Sequence, residues 1–117
     1  MNTYRLPAQF LRALAHPARL CLLDALRDGE ECVCHLTALL RQRQAYVSQQ
    51  LMFLRQAGLI EDRKEGLRIY YRIIDPRVLA VLDAVNLPAR EKGIGMSPRI
   101  AACSCPKCAT QELRKRK

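Results

Sequence analysis

The apolar positions of the chain fall into helical spacing over most of its first ninety residues, with one interruption of a different period. Residues 6 to 15, "LPAQFLRALA", place Leu6, Phe10, Leu11 and Leu14 on one stripe. Pro17 then opens a second helical run, "PARLCLLDALRDG", with Leu20, Leu23 and Leu26 inward and Gly29 as its stop. Cys21 falls inside that run and reads as a small buried core thiol. A short helix over about residues 32 to 40 follows, then the polar break "RQRQ", then "AYVSQQLMFLRQAG", in which Val47, Leu51 and Leu54 share a face and Gly58 ends the run. The period then changes. "LIEDR" and "LRIYYRI" are β-prone arms around a Lys-Glu-Gly turn and predict a hairpin. "DPRVLAVLDAVNL" restores helical spacing, with Val78, Leu79, Leu82 and Val85 on the apolar side and Pro76 in the first turn. The last helix is taken as residues 76 to 90.

Two helices joined by a short turn within about 25 residues, the second with a polar face, fit a helix-turn-helix. A basic hairpin directly after it makes a winged helix, so the expected fold is mainly α with a small β-hairpin. The length suits a single compact domain, and the pattern gives one DNA-binding and dimerisation domain over residues 1–92 followed by a flexible basic tail with cysteines over 93–117, where Pro, Gly and charge replace any packing signature.

Charge changes the picture first. The formal net charge is +9, from 20 Lys and Arg against 11 Asp and Glu, which on 117 residues points to a polyanionic partner, with nucleic acid foremost. No stretch reaches the roughly 18 apolar residues of a membrane span and no signal peptide is legible at the N-terminus, so a cytoplasmic protein without a membrane partner is expected. On the second helix of the reading unit, Gln44, Tyr46, Ser48, Gln49 and Gln50 are candidate contacts to double-stranded operator DNA. Gln can pair bidentately with adenine, Ser reaches phosphate, and Tyr packs on a thymine methyl or holds the backbone. Arg41 and Arg43 beside the turn and Arg63, Lys64 and Arg68 on the wing are candidates for phosphate or the minor groove.

Cysteine changes it next. In a reducing compartment, six cysteines with only two histidines suggest thiols, metal ligands or redox groups. Cys32 and Cys34 form one pair, and Cys103, Cys105 and Cys108 form "CSCPKC". On a regular helix residues two apart point about 200° apart, so the pair can share an ion only if the backbone at 31 to 35 bends or unwinds. Cys105 to Cys108 is a CxxC knuckle, whose spacing converges on one ion. Together with Cys32 and Cys34 it supplies four thiolates, leaving Cys103 in reserve. Four thiolates suit Cd(II), Pb(II) or Zn(II), and any three suit As(III). "CSCPKC" alone could be a reactive tail or a structural zinc knuckle, and the second cysteine pair upstream favours joint sensing over either. His35 reads as a solvent-facing or hydrogen-bonded helix residue and His16 as structural. Asp83 alone cannot build a zinc site on the last helix.

The pieces "LAHPARLCLLDAL", "ECVCHLTALL", "AYVSQQLMFLRQAGLI" and "DRKEGLRIYYRI", in this order over about residues 8 to 86, resemble the ArsR/SmtB family of winged-helix metalloregulators. The resemblance implies a homodimer, joined through the first and last helices, that represses from a pseudo-palindromic operator and leaves it when a metal ion binds. The family's "ELCVCDL" box is present as Glu31 to Leu36 with His35 in place of Asp, and Thr37 stands where several arsenic-sensing members carry a third cysteine. A redox or reactive-sulfur sensor, closing a disulfide between Cys32 or Cys34 and a tail cysteine, is the alternative. A small organic substrate is not expected. Catalysis is not expected either, because the CxxC lies in a structureless tail and no paired carboxylates, nucleophile elbow or phosphate loop is present.

Overall fold

The computed structural model describes residues 2–85 and 87. Five helices and three strands follow in the order α1 (Asn2–Leu14), α2 (Pro17–Ala25), β1 (Glu31–Cys32), α3 (Val33–Leu40), α4 (Gln44–Gln56), β2 (Ile60–Glu65), β3 (Arg68–Ile73) and α5 (Pro76–Ala84). This is a winged helix-turn-helix, with one strand more than the hairpin the sequence suggests.

Local chemistry explains most of the boundaries. His16 caps α2: its backbone is extended and its Nδ1 accepts the Ala18 N–H at 3.1 Å, while Pro17 takes the first helical position, where no N–H is needed. Asp75 does the same for α5, accepting from the Arg77 N–H at 2.9 Å ahead of Pro76. Hydrogen bonds from the Arg77 side chain, and from its backbone, hold the Asp75 carboxyl below its ordinary range. Helix α4 ends in a Schellman arrangement around Gly58, whose φ is +79°. The Leu59 N–H donates to the Leu54 carbonyl and the Gly58 N–H to that of Arg55.

Helix α1 begins at Asn2 and runs through Pro7, earlier than the apolar stripe implies. Of that stripe only Leu14 is buried and Phe10 is half-buried. Leu6 is 73% exposed and Leu11 56%, as is Tyr4 at 73%, so α1 presents an apolar face to solvent. On α2 the inward set is Leu22, Leu23 and Leu26, with Leu20 only half-buried. The predicted inward residues of α4 hold throughout: Val47, Leu51 and Leu54 are fully buried. On α5, Val78 and Leu82 are buried while Leu79 and Val85 are exposed. The helix ends at Ala84, and the predicted continuation to residue 90 lies mostly outside the described residues.

The sheet has the order β1-β3-β2 and is antiparallel throughout. Glu65 faces Arg68, so the wing turns on Gly66 and Leu67 and not on Lys-Glu-Gly. Gly66, with φ +63°, takes the first central position, where hairpin turns of this length require positive φ. On the other edge of β3, Cys32 faces Tyr70 and Glu31 faces Tyr71. Side chains alternate between faces along a strand. Tyr71 accordingly joins the main core with Leu36, Leu51, Leu59, Ile60 and Leu82, and Tyr70 lies on the opposite face in a small cluster with Cys32 and Cys34. No described helix is long and apolar enough to cross a membrane.

Candidate functional site

Helix α4 is held by its buried face, and the stripe opposite that face is what it offers to a partner. Gln44 and Gln49 are exposed at this surface, as are Arg41 and Arg43 at the turn before it. Arg41 closes α3 in the left-handed region, φ +55°, and is the only non-glycine with positive φ among the described residues. Arg43 is the N-cap of α4 and, having donors but no acceptor, makes no side-chain capping bond to the helix N–H groups. The other three candidates sit further back. Tyr46 is half-buried against the core, Ser48 is half-buried, and the Gln50 Oε1 is buried with no hydrogen-bond partner among the described residues. Two residues on the outward stripe escaped the sequence reading. Ala45 and Met52 are exposed at spacings i and i+7, in line with Gln49, a periodicity masked by their apolar character.

The wing supplies basic groups unequally. Lys64 is exposed near the tip, and Leu67 on the turn is fully exposed. Arg68 is half-buried. Arg63 is engaged within the chain: its Nε and Nη2 donate to Glu30 at 3.0 and 2.6 Å, and its Nη1 donates to Glu65 at 2.8 Å. Those bonds, Glu30 first, raise the guanidinium pKa further, so Arg63 is a permanent cation already facing two carboxylates.

The thiol pair is built differently from the sequence expectation. Cys32 does not lie in the helix. It ends β1 with extended backbone, φ −82° and ψ 154°, and serves as N-cap of α3, its Sγ accepting the His35 N–H at 3.4 Å. Cys34 is in the first turn of α3, the Cα atoms are 5.4 Å apart, and the two sulfurs are joined as a disulfide. The strand-to-helix junction therefore brings both sulfurs together without unwinding any helix. The change from strand to helix between Cys32 and Val33 is the bend within residues 31 to 35 that convergence of the two thiols requires, while the expected start of the helix at residue 32 gives way to Val33.

Cys32 is buried and Cys34 half-buried. Beside them opens a cleft of about 150 Å³ whose walls include Gln44 of α4 and Leu67 and Arg68 of the wing. One small site thus touches the start of α4 and the tip of the wing at once.

The neighbouring residues divide. His35 is 5% exposed, so it is a buried residue and not a solvent-facing one. Thr37 donates through its hydroxyl to the Val33 carbonyl at 2.8 Å and offers no thiol. Cys21, expected in the core, is a free thiol on an exposed part of α2, because Leu22 and Leu23 take the inward positions. Desolvation by the packed surroundings, then the Asp24 carboxylate, push its thiol pKa up, which disfavours the thiolate needed for ligation. Asp83 is ion-paired with Arg27. Among the described residues no group of three or more His, Cys, Asp or Glu converges as a metal site. Cys103, Cys105 and Cys108, with the boundary at residue 92, lie outside the described residues.

Residues 16–62, which contain the whole helix-turn-helix and the thiol junction, match the family described as "Bacterial regulatory protein, arsR family". The biofilm growth-associated repressor of Agrobacterium fabrum is 42% identical over 78 residues, 67% of this chain and 67% of its own length. The arsenical resistance operon repressor of Escherichia coli is 40% identical over 72 residues, 61% of this chain and 62% of its own length. Among solved structures, reduced HlyU from Vibrio cholerae superposes with a TM-score of 0.67 at 31% identity, covering 71% of this chain and 87% of that one. With the fold, the order of its elements and these similarities in agreement, the chain belongs to the ArsR family of bacterial helix-turn-helix transcriptional regulators.

Proposed function

We propose that the protein is a homodimeric repressor that binds pseudo-palindromic operator DNA and is released from it when a thiophilic ion binds at Cys32 and Cys34. The single observation that carries this reading is the position of the sulfur pair, which opens on a cleft shared with Gln44 of α4 and Arg68 of the wing. Gln44, Gln49, Arg41 and Arg43 would face the major groove and its phosphates, with Lys64 and the wing tip alongside. Dimerisation would cover the apolar face that α1 exposes at Tyr4, Leu6 and Leu11, together with Leu79 and Val85 of α5.

The donor chemistry suits a soft ion in part. Once reduced, Cys32 and Cys34 are two thiolate donors, and soft sulfur ligands select Cd(II), Pb(II), Zn(II) or As(III) over hard cations. A closed site needs more donors, and we assign these to Cys105 and Cys108, with Cys103 in reserve. The ion supplies soft Lewis acidity, and the chain supplies the coupling. Cys32 Sγ holds the first turn of α3, which packs on α4, so an altered sulfur environment reaches the reading helix through one packed layer. Coupling of about 1–3 kcal/mol corresponds to a change in operator affinity of roughly 5- to 150-fold. The E. coli relative is named for arsenical resistance, which agrees with a metalloid among the candidate inducers.

A redox reading is the second, and it rests on a specific observation: the two sulfurs of the pair are bonded to each other. A similar structure is described as the reduced form of HlyU, for which oxidation state is thus a variable worth naming. This version closes the disulfide within the pair and not to the tail. The two readings separate in one experiment. Reduced protein is titrated with Cd(II) in excess reductant, following thiolate charge-transfer absorption and, by fluorescence anisotropy, affinity for a duplex selected from a random pool. The wild type should lose about tenfold or more in affinity, Cys34→Ser should lose both the absorption and the effect, and Cys108→Ser should weaken the ion. Equal affinity with and without ion overturns ion sensing. A loss of affinity that occurs only without reductant establishes the redox reading. An unchanged Cys108→Ser removes the tail from the site.

A further inference from the structure

Strand β3 pairs Tyr70 with Cys32 on one side and with Arg63 on the other, so these three residues form one cross-strand row. Directly opposed residues project from the same face of a sheet, and their side chains are in contact range. The row is occupied accordingly. Tyr70, 3% exposed, is buried with Cys32 and packs against Cys34, and the Arg63 guanidinium carbon lies 4.8 Å from the centroid of its ring. Arg63 in turn is divided between Glu30, immediately before β1, and Glu65 near the wing tip. The thiol site and a basic residue of the wing are therefore separated by a single aromatic ring.

We propose, building on the sensing role assigned to Cys32 and Cys34, that Tyr70 is a positioning residue that makes Arg63 of the wing respond to the state of that pair. A guanidinium has five donors in a fixed fork; with three of them on Glu30 and Glu65 and its charge offset by two carboxylates, Arg63 has only two left and a weaker pull on a DNA phosphate. The carboxylates thus compete with the operator for Arg63. Which partner it takes depends on where the ring and Glu30 hold it, and both are adjacent to the sulfurs: the ring by packing, Glu30 by two residues of chain. With the sulfurs joined, as seen here, Arg63 is held by the carboxylates. With separate thiols Tyr70 repacks, and Arg63 is released towards phosphate. The same row serves either signal, ion or oxidation, because Tyr70 senses the volume and position of the sulfurs and not the identity of what binds them.

A purely structural Tyr70 would fill space and do nothing more, and replacing it would change stability alone. The test therefore uses Tyr70→Leu, which keeps an apolar side chain but removes the ring, and Tyr70→Phe, which keeps the ring. The first readout needs neither DNA nor ion. In full-length protein labelled with nitrogen-15, the Arg63 Nε–H resonance, assigned by its loss in Arg63→Lys, is recorded with the pair reduced and with it oxidised by diamide. Peptide mapping verifies the Cys32–Cys34 linkage. The resonance should move in wild type and in Tyr70→Phe and stay fixed in Tyr70→Leu. The second readout is operator affinity in the two states: a shift of tenfold or more in wild type and Tyr70→Phe, falling below about threefold in Tyr70→Leu. An Arg63 resonance indifferent to the pair in wild type overturns the proposal, a result that needs no variant to fold. So does a Tyr70→Leu protein that keeps the full affinity shift. A wild-type resonance that moves while operator affinity stays constant supports the link and refutes the sensing role, so the two ideas fail separately.

Discussion

Among the described residues the two buried clusters are unequal, and their difference separates what holds the molecule together from what it can afford to change. The main cluster gathers 14 buried residues from α1, α2, α3, α4, α5 and the sheet. The second holds only Cys32 and Tyr70, with Cys34 packed against them, on the other face of the sheet. The first is continuous, so a disturbance anywhere in it is felt as lost stability. The second is small and chemically reactive. The proposed sensing role requires it to change state without unfolding the domain, and its separation from the main core favours that.

The largest effect is expected in the main core. Leu51 is fully buried on α4, and Leu51→Ala should cost about 2–5 kcal/mol of unfolding free energy, read by urea denaturation. DNA binding should fall in proportion to the folded fraction, and the thiols should respond normally in what remains folded. The small cluster should behave in the opposite way. Cys32→Ser places a strong N-cap residue where Sγ now accepts the His35 N–H, so under reducing conditions the stability change should stay within about 1 kcal/mol. The same substitution should abolish the response of operator affinity to Cd(II) or to oxidant. A loss as large as that of Leu51→Ala would show that the second cluster is structural after all.

Arg41 gives the finest probe, because it belongs to neither cluster. It holds a left-handed conformation at the turn between α3 and α4, where a side chain is unfavourable. Arg41→Gly should therefore stabilise the fold slightly, by about 0.5 kcal/mol once the entropy of the unfolded glycine is deducted. It should also weaken operator binding and lower the slope of log affinity against log salt by about one for each phosphate contact removed. Stability and function moving in opposite directions would mark Arg41 as kept for its charge.

How much of this was legible in the sequence follows the same division. The α4 core face was readable because Val47, Leu51 and Leu54 recur at helical spacing among polar residues. Helix α2 was harder. Leucines at 20, 22, 23 and 26 lie on several sides, so periodicity did not choose the inward face, and Cys21 was assigned inward when Leu22 takes that place. Strand β1 was invisible because a two-residue strand has no period of its own and is created by its pairing with β3. The site suffered from the same blindness. Cysteine is not among the usual N-cap residues, so nothing in "ECVCHL" signalled that Cys32 stands outside the helix. The location of Arg63, Lys64 and Arg68 on the hairpin was legible, but the commitment of Arg63 to Glu30, 33 positions earlier, is a tertiary fact. No local pattern predicts it.

The sulfur of Cys32 is at once the cap of α3 and half of the thiol pair. In genetic terms, inducibility and abundance should therefore separate only narrowly. Serine at this position should give a regulator made in normal amounts that never leaves its promoter, a dominant uninducible allele. Residues that cannot accept the His35 N–H should add loss of protein to loss of response. Selection for constitutive silence at this locus should accordingly recover serine at position 32 ahead of bulkier apolar replacements, while at position 34, inside the first turn of α3 and not its N-cap, it should be more permissive.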